Sequence, residues 1–386
     1  MRNGFRIYDS DTHVMPAAEV LERYVDPEFR PRLEELEPYR VPIRQSAEHS
    51  GGGHNYRVAT QYYRRILGEA APRADHSGRE SNWRGSQLPR PGVQDDNAAN
   101  RVADMDEEGT DIHFLIPTSW VGTVGLDDPA LEVGLTRAYH RHMAAFCGQF
   151  PNRLKGLIRA PARDVDAAVK EIRRWGKSDW AVAVQPSLGQ HVPADHPDLE
   201  PIWHAAADLD LPIVHHSSTW NPPYYPGYRD VWDNIFIGRL ASHPWGAMRF
   251  VASFIGGGIL DRYPSLRLGV LECGFGWLPF WGRRMDEQYA YVGSTAALKR
   301  KPSEYLTSGR FFCSIERQEG EDMFRMVTAF LGDGALMYAS DYPALRMPVS
   351  EFGRQCHGVE VPRPRHAREA VLGQRDALLP AELTAT

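Results

Sequence analysis

From residue 5 to residue 340, short apolar segments alternate with helical ones, and this leaves few folds open. The apolar segments are residues 5–7, 111–117, 154–159, 180–185, 212–216, 268–272, 310–315 and 335–340. Most are near-continuous apolar runs, the pattern of strands covered on both faces. Helical patterns fill the gaps at 97–108, 129–150, 165–175, 199–209, 244–255, 277–292 and 320–330. Strict alternation implies a parallel sheet wrapped by helices. Eight such units predict a (β/α)8 TIM barrel. The alternative is an open doubly wound sheet. A dinucleotide-binding version would need a Gly-rich loop after the first strand, and there is none. Gly256, Gly257 and Gly258 follow a helix, where glycine acts as a stop.

The 386 residues, 42% of them hydrophobic, can form one large core. The chain therefore reads as a single domain, 1–386, interrupted after its first strand by an insertion at 15–94 that is expected to cap the barrel. The insertion is polar and punctuated by Gly51–Gly53, Pro72, Pro89 and Pro91, with a short helix expected within 18–32. Its His54, Arg57 and Trp83 are candidates to reach a ligand.

The 44 basic residues minus 50 acidic ones leave −6, and no basic run offers a surface for nucleic acid or an anionic membrane. No apolar run is long enough to span a bilayer, and the first residues lack a signal-peptide core. Cys147, Cys273, Cys313 and Cys356 have no paired spacing and read as reduced thiols. The expectation is a cytoplasmic protein with a small-molecule ligand. Tryptophan and tyrosine are plentiful enough that an aromatic pocket is expected as well.

In a barrel the C-terminal strand ends converge on one mouth, so polar residues there are the candidate site. Strand one ends in Asp11-x-His13, and residues two apart in a strand point the same way. Thr118, Ser119 and Trp120 follow strand two; Arg159 ends strand three and Gln185 strand four. His215 and His216 end strand five, Glu272 ends strand six, Ser314 and Glu316 lie at strand seven, and Asp341 follows strand eight. Asp11, His13, one histidine of strand five and Asp341 supply mixed nitrogen and oxygen donors. That set suits one catalytic divalent ion, zinc with manganese as the alternative.

Several motifs in order carry a family resemblance. They are the D-x-D-x-H of strand one, RVADMDEEGTDIHFLIPT at strand two, LPIVHH at strand five, GGGILDRYPSLRLGVLECGFGWLP around strand six and SDYP at strand eight. Together they resemble the amidohydrolase superfamily, and within it the branch of metal-dependent decarboxylases acting on aminocarboxymuconate semialdehyde and resorcylate. The resemblance implies Asp11, His13, His216 and Asp341 as metal ligands, with His216 chosen over His215 by the spacing from Leu-Pro. It also implies non-oxidative decarboxylation of an aromatic or unsaturated carboxylic acid. Two positions depart from the pattern: Glu272 stands where a histidine is frequent, and Ala344 follows SDYP in place of histidine.

Catalytic roles then fall to Asp341 and Glu272. Arg159 is a candidate for a second oxyanion, with Trp120, Trp277 and Tyr342 as walls for a ring. Metal-dependent hydrolysis of an amide, ester or lactone is the rival reading, and a non-catalytic binding protein on a degenerate barrel the third. A homodimer is expected from the resemblance and from the aromatic stretch 275–281.

Overall fold

The computed structural model describes residues 6–43, 53–56, 89–117, 128–188, 192–217, 235–315 and 319–343. Among the described residues, ten strands lie in chain order: β1 Tyr8–Val14, β2 Arg40–Pro42, β3 His54–Tyr56, β4 Ile112–Pro117, β5 Leu154–Pro161, β6 Ala181–Ser187, β7 Ile213–His216, β8 Leu268–Leu271, β9 Phe311–Ser314 and β10 Leu336–Met337. β2 and β3 form a small antiparallel pair. The other eight are parallel neighbours in the order β1-β4-β5-β6-β7-β8-β9-β10. Backbone bonds bring the ends of this sheet together. Ser10 N–H donates to the Tyr338 carbonyl (2.9 Å), Asp341 N–H to Asp11 (3.0 Å) and His13 N–H to Tyr342 (2.6 Å). The result is a nearly closed (β/α)8 barrel.

Side-chain alternation splits the core into two layers. Leu157, Val214, Leu271, Phe312 and Met337 fill the barrel interior. Their strand neighbours Ile158, Ile213, Val270, Phe311 and Leu336 face the helices in a much larger cluster. Burying each large apolar side chain contributes roughly 1.5–3 kcal/mol, so the helix-facing layer dominates stability. The helices start and stop where local chemistry requires. The Asn97 side chain caps Ala98–Glu108 by accepting from Asn100 N–H (2.9 Å), and Gly109 ends it at φ +81°. Asp128 caps Pro129–Gly148, and Asp164 caps Val165–Trp175.

The first strand is displaced from its expected place. It starts at Tyr8, so the polar run that carries Asp9, Asp11 and His13 is itself the strand. The last strand shrinks to two residues, because the chain beyond Met337 leaves β9 and bonds to β1 instead. The expected helix at 244–255 runs from Ile235 to Gly256, with Pro244 inside it.

Among the described residues of 15–94, the expected helix is only Ala18–Leu21, followed by 3-10 turns at Glu22–Tyr24 and Arg30–Tyr39. This part is fastened to the helix Pro129–Gly148. Arg141 donates to the Tyr24 carbonyl (2.6 Å), Arg32 pairs with Asp128 (2.6 Å), and Phe29 fills the space a Cβ on Gly134 would need. His54 pairs with Glu19 at 2.6 Å. Arg57 and Trp83 lie outside the described residues.

Buried histidines make the fold acid-sensitive. Burial pushes His142 down to about 4, and pushes His113 and His140 down too. Between the unfolded value near 6.5 and these depressed values, the unfolded chain binds protons that the native one refuses, so stability falls as pH falls through that window. The His142 shift alone corresponds to roughly 3 kcal/mol. Urea midpoints are expected to drop steadily from pH 6.5 to 4 and to drop less in His142→Gln. A midpoint flat across that range would contradict this.

Candidate metal centre

Asp11, His13, His216, Glu272 and Asp341 meet at the barrel mouth. His13 Nε2 lies 2.9 Å from Asp341 Oδ1, 3.4 Å from Asp11 Oδ1 and 3.9 Å from Glu272 Oε2. His216 Nε2 lies 3.4 Å from Asp11 Oδ1 and 3.2 Å from Glu272 Oε2. The two imidazoles meet edge-on, with centroids 5.1 Å apart. Asp11, His13 and His216 form one group of close donor atoms, and His13, Glu272 and Asp341 a second that shares His13.

Strand geometry explains why these residues converge. Asp11 and His13 share the inward face of β1. On β7 the inward residues are Val214 and His216. His215 points the other way and stacks on Phe250 in the helix-facing layer, at 4.7 Å and 19°. Glu272 follows the inward Leu271, so simple alternation would turn it outward. Its backbone instead adopts φ +49°, and Asp341 adopts φ +57°. A left-handed conformation at a non-glycine residue carries strain, and here it holds two carboxylates at the mouth. Hydrogen bonds hold both turns: Glu272 N–H donates to Ser314 Oγ (3.1 Å), and Asp341 N–H to the Asp11 carbonyl.

The site is electrostatically tense. Burial, then the Asp341 charge, raises Glu272 to about 7. Burial pushes His13 and His216 down, but facing carboxylates outweigh it, Asp341 for His13 and Asp11 for His216. His13 ends at about 9 and His216 is also raised. Burial pushes Asp11 up, and the charge of His216 reverses the direction to a net lowering. Beneath them burial raises Asp9 to about 8, opposed by hydrogen bonds from Ser340 and Asp11. Asp11 Oδ1 and His216 Nε2 are buried, face each other and make no hydrogen bond. Buried polar atoms of native proteins are nearly always partnered, so this donor set fits a divalent cation between them.

A buried arginine braces the two strand ends. Arg101 Nη1 donates to the His13 carbonyl (2.7 Å), and its guanidinium lies 4.9 Å over the Tyr342 ring. The Tyr342 hydroxyl donates to Asp104 (2.6 Å), which also pairs with Arg90. Tyr342 therefore packs against the helix Ala98–Glu108 and is not a ring wall at the mouth. Trp277 is packed in the helix-facing layer, its indole N–H donating to the carbonyls of Cys273 (3.0 Å) and Gly274 (2.8 Å). It fixes the loop after Glu272 and does not line the mouth. Trp120, Thr118, Ser119, Glu316 and Ala344 lie outside the described residues. The sequence reading missed His243, whose Nδ1 lies 3.6 Å from Glu272 Oε1. It sits on the helix Ile235–Gly256, where a search of strand ends does not look.

The chain belongs to the amidohydrolase family, whose model matches residues 109–372. Among curated proteins it is similar to gamma-resorcylate decarboxylase of Rhodococcus jostii, at 25% identity over 55% of this chain and 67% of that one. It is also similar to 2-amino-3-carboxymuconate-6-semialdehyde decarboxylase of Dictyostelium discoideum, at 22% identity over 65% and 67%. The fold matches 5-carboxyvanillate decarboxylase of Novosphingobium aromaticivorans, solved with manganese and a nitrobenzoic acid, with a TM-score of 0.65, 19% identity, and coverage of 98% of this chain and 97% of that one. It also matches a manganese-bound dihydroxybenzoic acid decarboxylase of Polaromonas, with a TM-score of 0.61, 16% identity, and coverage of 99% and 98%.

Proposed function

We propose that this protein is a metal-dependent, non-oxidative decarboxylase of an aromatic carboxylic acid. The observation that carries this is the cluster of buried ligand atoms facing one another, Asp11 Oδ1 and His216 Nε2 among them, within a mouth of three carboxylates and two imidazoles. Both named curated relatives are decarboxylases.

Asp11, His13, His216 and Asp341 would hold one divalent ion. When bound, that ion supplies Lewis acidity for the substrate carboxylate and a neighbouring oxygen. A donor set this rich in carboxylates supports manganese, which takes more oxygen ligands than the tetrahedral sites zinc favours; zinc is the alternative. Glu272 or Asp341 delivers a proton to the ring carbon as its bond to the carboxylate breaks and CO2 leaves, and water returns the proton to the acid. Glu272 suits this task because burial lets its carboxyl stay protonated near neutral pH. Arg159 would hold a second oxygen anion of the substrate.

Purified protein is expected to carry one divalent ion per chain. A chelator should abolish CO2 release from a hydroxybenzoic acid, and added manganese or zinc should restore it. Metal-free protein with undiminished turnover would sink the proposal.

The aromatic stretch 275–281 is mostly core: Phe275 and Trp277 are buried, and Phe280 is 62% exposed. Phe280, Tyr291 and Met326 on the helices Leu278–Val292 and Gly320–Leu331 support a homodimer through that face. Light scattering at micromolar concentration should give twice the chain mass, and a monomer mass rules this out. Among the described residues no helix is long and apolar enough to cross a membrane. Cys147 and Cys313 are buried free thiols, which supports a cytoplasmic location.

A further inference from the structure

The arc of the barrel without candidate metal ligands holds an unsatisfied polar pair. In the ring order, β5 and β6 lie between β1, which bears Asp11 and His13, and β7, which bears His216. Arg159 on β5 and Gln185 on β6 are register partners. Ile158 and Ala160 belong to the helix-facing cluster, as does Val184, so Arg159 and Gln185 point into the barrel. Val184 pairs with Ile213, which puts Gln185 level with Val214, one inward step below His216. The pair therefore sits at the floor of the mouth.

Both residues are more than nine-tenths buried, at 8% and 6% exposure. Arg159 Nε and Gln185 Oε1 are buried and make no hydrogen bond among the described residues. The acid with the strongest influence on Arg159 is Glu132, and its oxygens are engaged by Ser187 Oγ (2.7 Å) and Arg163 Nε (3.1 Å). A buried guanidinium with no carboxylate within ion-pair distance among the described residues, beside an amide oxygen without a hydrogen bond, carries a desolvation cost. The cost is recovered when a ligand supplies an anionic oxygen, which a guanidinium fork binds bidentately.

We infer that Arg159 and Gln185 form a specificity subsite for a second anionic oxygen group, a carboxylate or ionised hydroxyl, on the ring of the substrate. This rests on the reading of the mouth as the decarboxylation pocket and narrows its substrate class to aromatic acids with two anionic substituents. Arg159 supplies the charge. Gln185 adds a donor to the same oxygen, or accepts from a hydroxyl beside it.

The test is equilibrium binding to the manganese-loaded protein, followed by calorimetry, with salicylate and 4-hydroxyisophthalate as probes; the second is salicylate with one more carboxylate. Wild type is expected to bind the dianion about tenfold tighter or more, the range of a charged hydrogen-bonded pair. Arg159→Gln should bring the ratio close to one while leaving salicylate within about threefold of wild type. Gln185→Glu offers an internal partner to Arg159. It should erase the preference while raising the melting temperature, and so it reports even where Arg159→Gln folds poorly. Equal affinities in wild type, or a preference that survives both substitutions, overturns the subsite while leaving the metal-dependent reaction standing. Failure of both probes to bind tells against the pocket itself, and therefore against both readings.

Discussion

His216→Ala is expected to strip the protein of its metal and abolish turnover, whereas His215→Ala keeps the metal. The two residues are chain neighbours of the same chemical type, yet β7 sends them to opposite layers. His216 Nε2 faces Asp11 Oδ1 at 3.4 Å and Glu272 Oε2 at 3.2 Å. His215 stacks on Phe250, and burial holds it neutral, at about 3. Losing one of four ligands weakens metal binding by orders of magnitude. Removing His215 instead leaves a cavity beside Phe250 that costs roughly 2–4 kcal/mol of stability. Metal content and melting temperature therefore move separately: a large metal loss with modest destabilisation for His216→Ala, and the reverse for His215→Ala. If His215→Ala loses the metal and His216→Ala retains it, the ligand assignment is wrong.

Glu272→Gln carries the second large effect. Turnover is expected to fall by about two or more orders of magnitude while metal content holds. The amide keeps the shape and most hydrogen bonds of the carboxyl but cannot pass on a proton. The environment suggests this role. The backbone at φ +49° aims the side chain at both imidazoles, and burial lifts its carboxyl to about 7, where a group near neutral pH can both hold and release a proton. Asp341→Asn separates the alternatives, because that residue is also a proposed ligand: its replacement should lower metal affinity and turnover together. A Glu272→Gln protein with near-normal turnover and intact metal would leave proton delivery to Asp341 alone.

The barrel was legible because seven of its strands read as apolar runs bounded by turn residues. The first strand was harder to place. Most of its residues from Tyr8 to His13 are polar, so the strand looked like the polar end of a shorter apolar run at 5–7. Residues 18–43 were read poorly because 3-10 turns, with Pro31 and Pro38 among them, lack the periodicity of either regular element. In the site, the strand-end rule brought together Asp11, His13, His216, Glu272 and Asp341, since a barrel leaves inward residues at those ends nowhere else to point. It failed for Tyr342 and Trp277, which lie beyond the last strand residues and whose polar atoms are taken by Asp104 and by the carbonyls of Cys273 and Gly274. The left-handed backbone at Glu272 was equally invisible, because a glutamate gives no sign of a positive φ.

The central claim is carbon–carbon bond cleavage without oxidation or hydrolysis, and product analysis in isotopic water tests it most directly. Metal-replete protein would be incubated with a set of hydroxybenzoic acids, including 2,6-dihydroxybenzoate and 5-carboxyvanillate, in deuterium oxide and separately in oxygen-18 water. Expected are one CO2 per turnover, one deuterium on the ring carbon that lost it, and no solvent oxygen in the aromatic product. A product bearing solvent oxygen with no CO2 released, or no turnover of any acid by metal-replete protein, would contradict it.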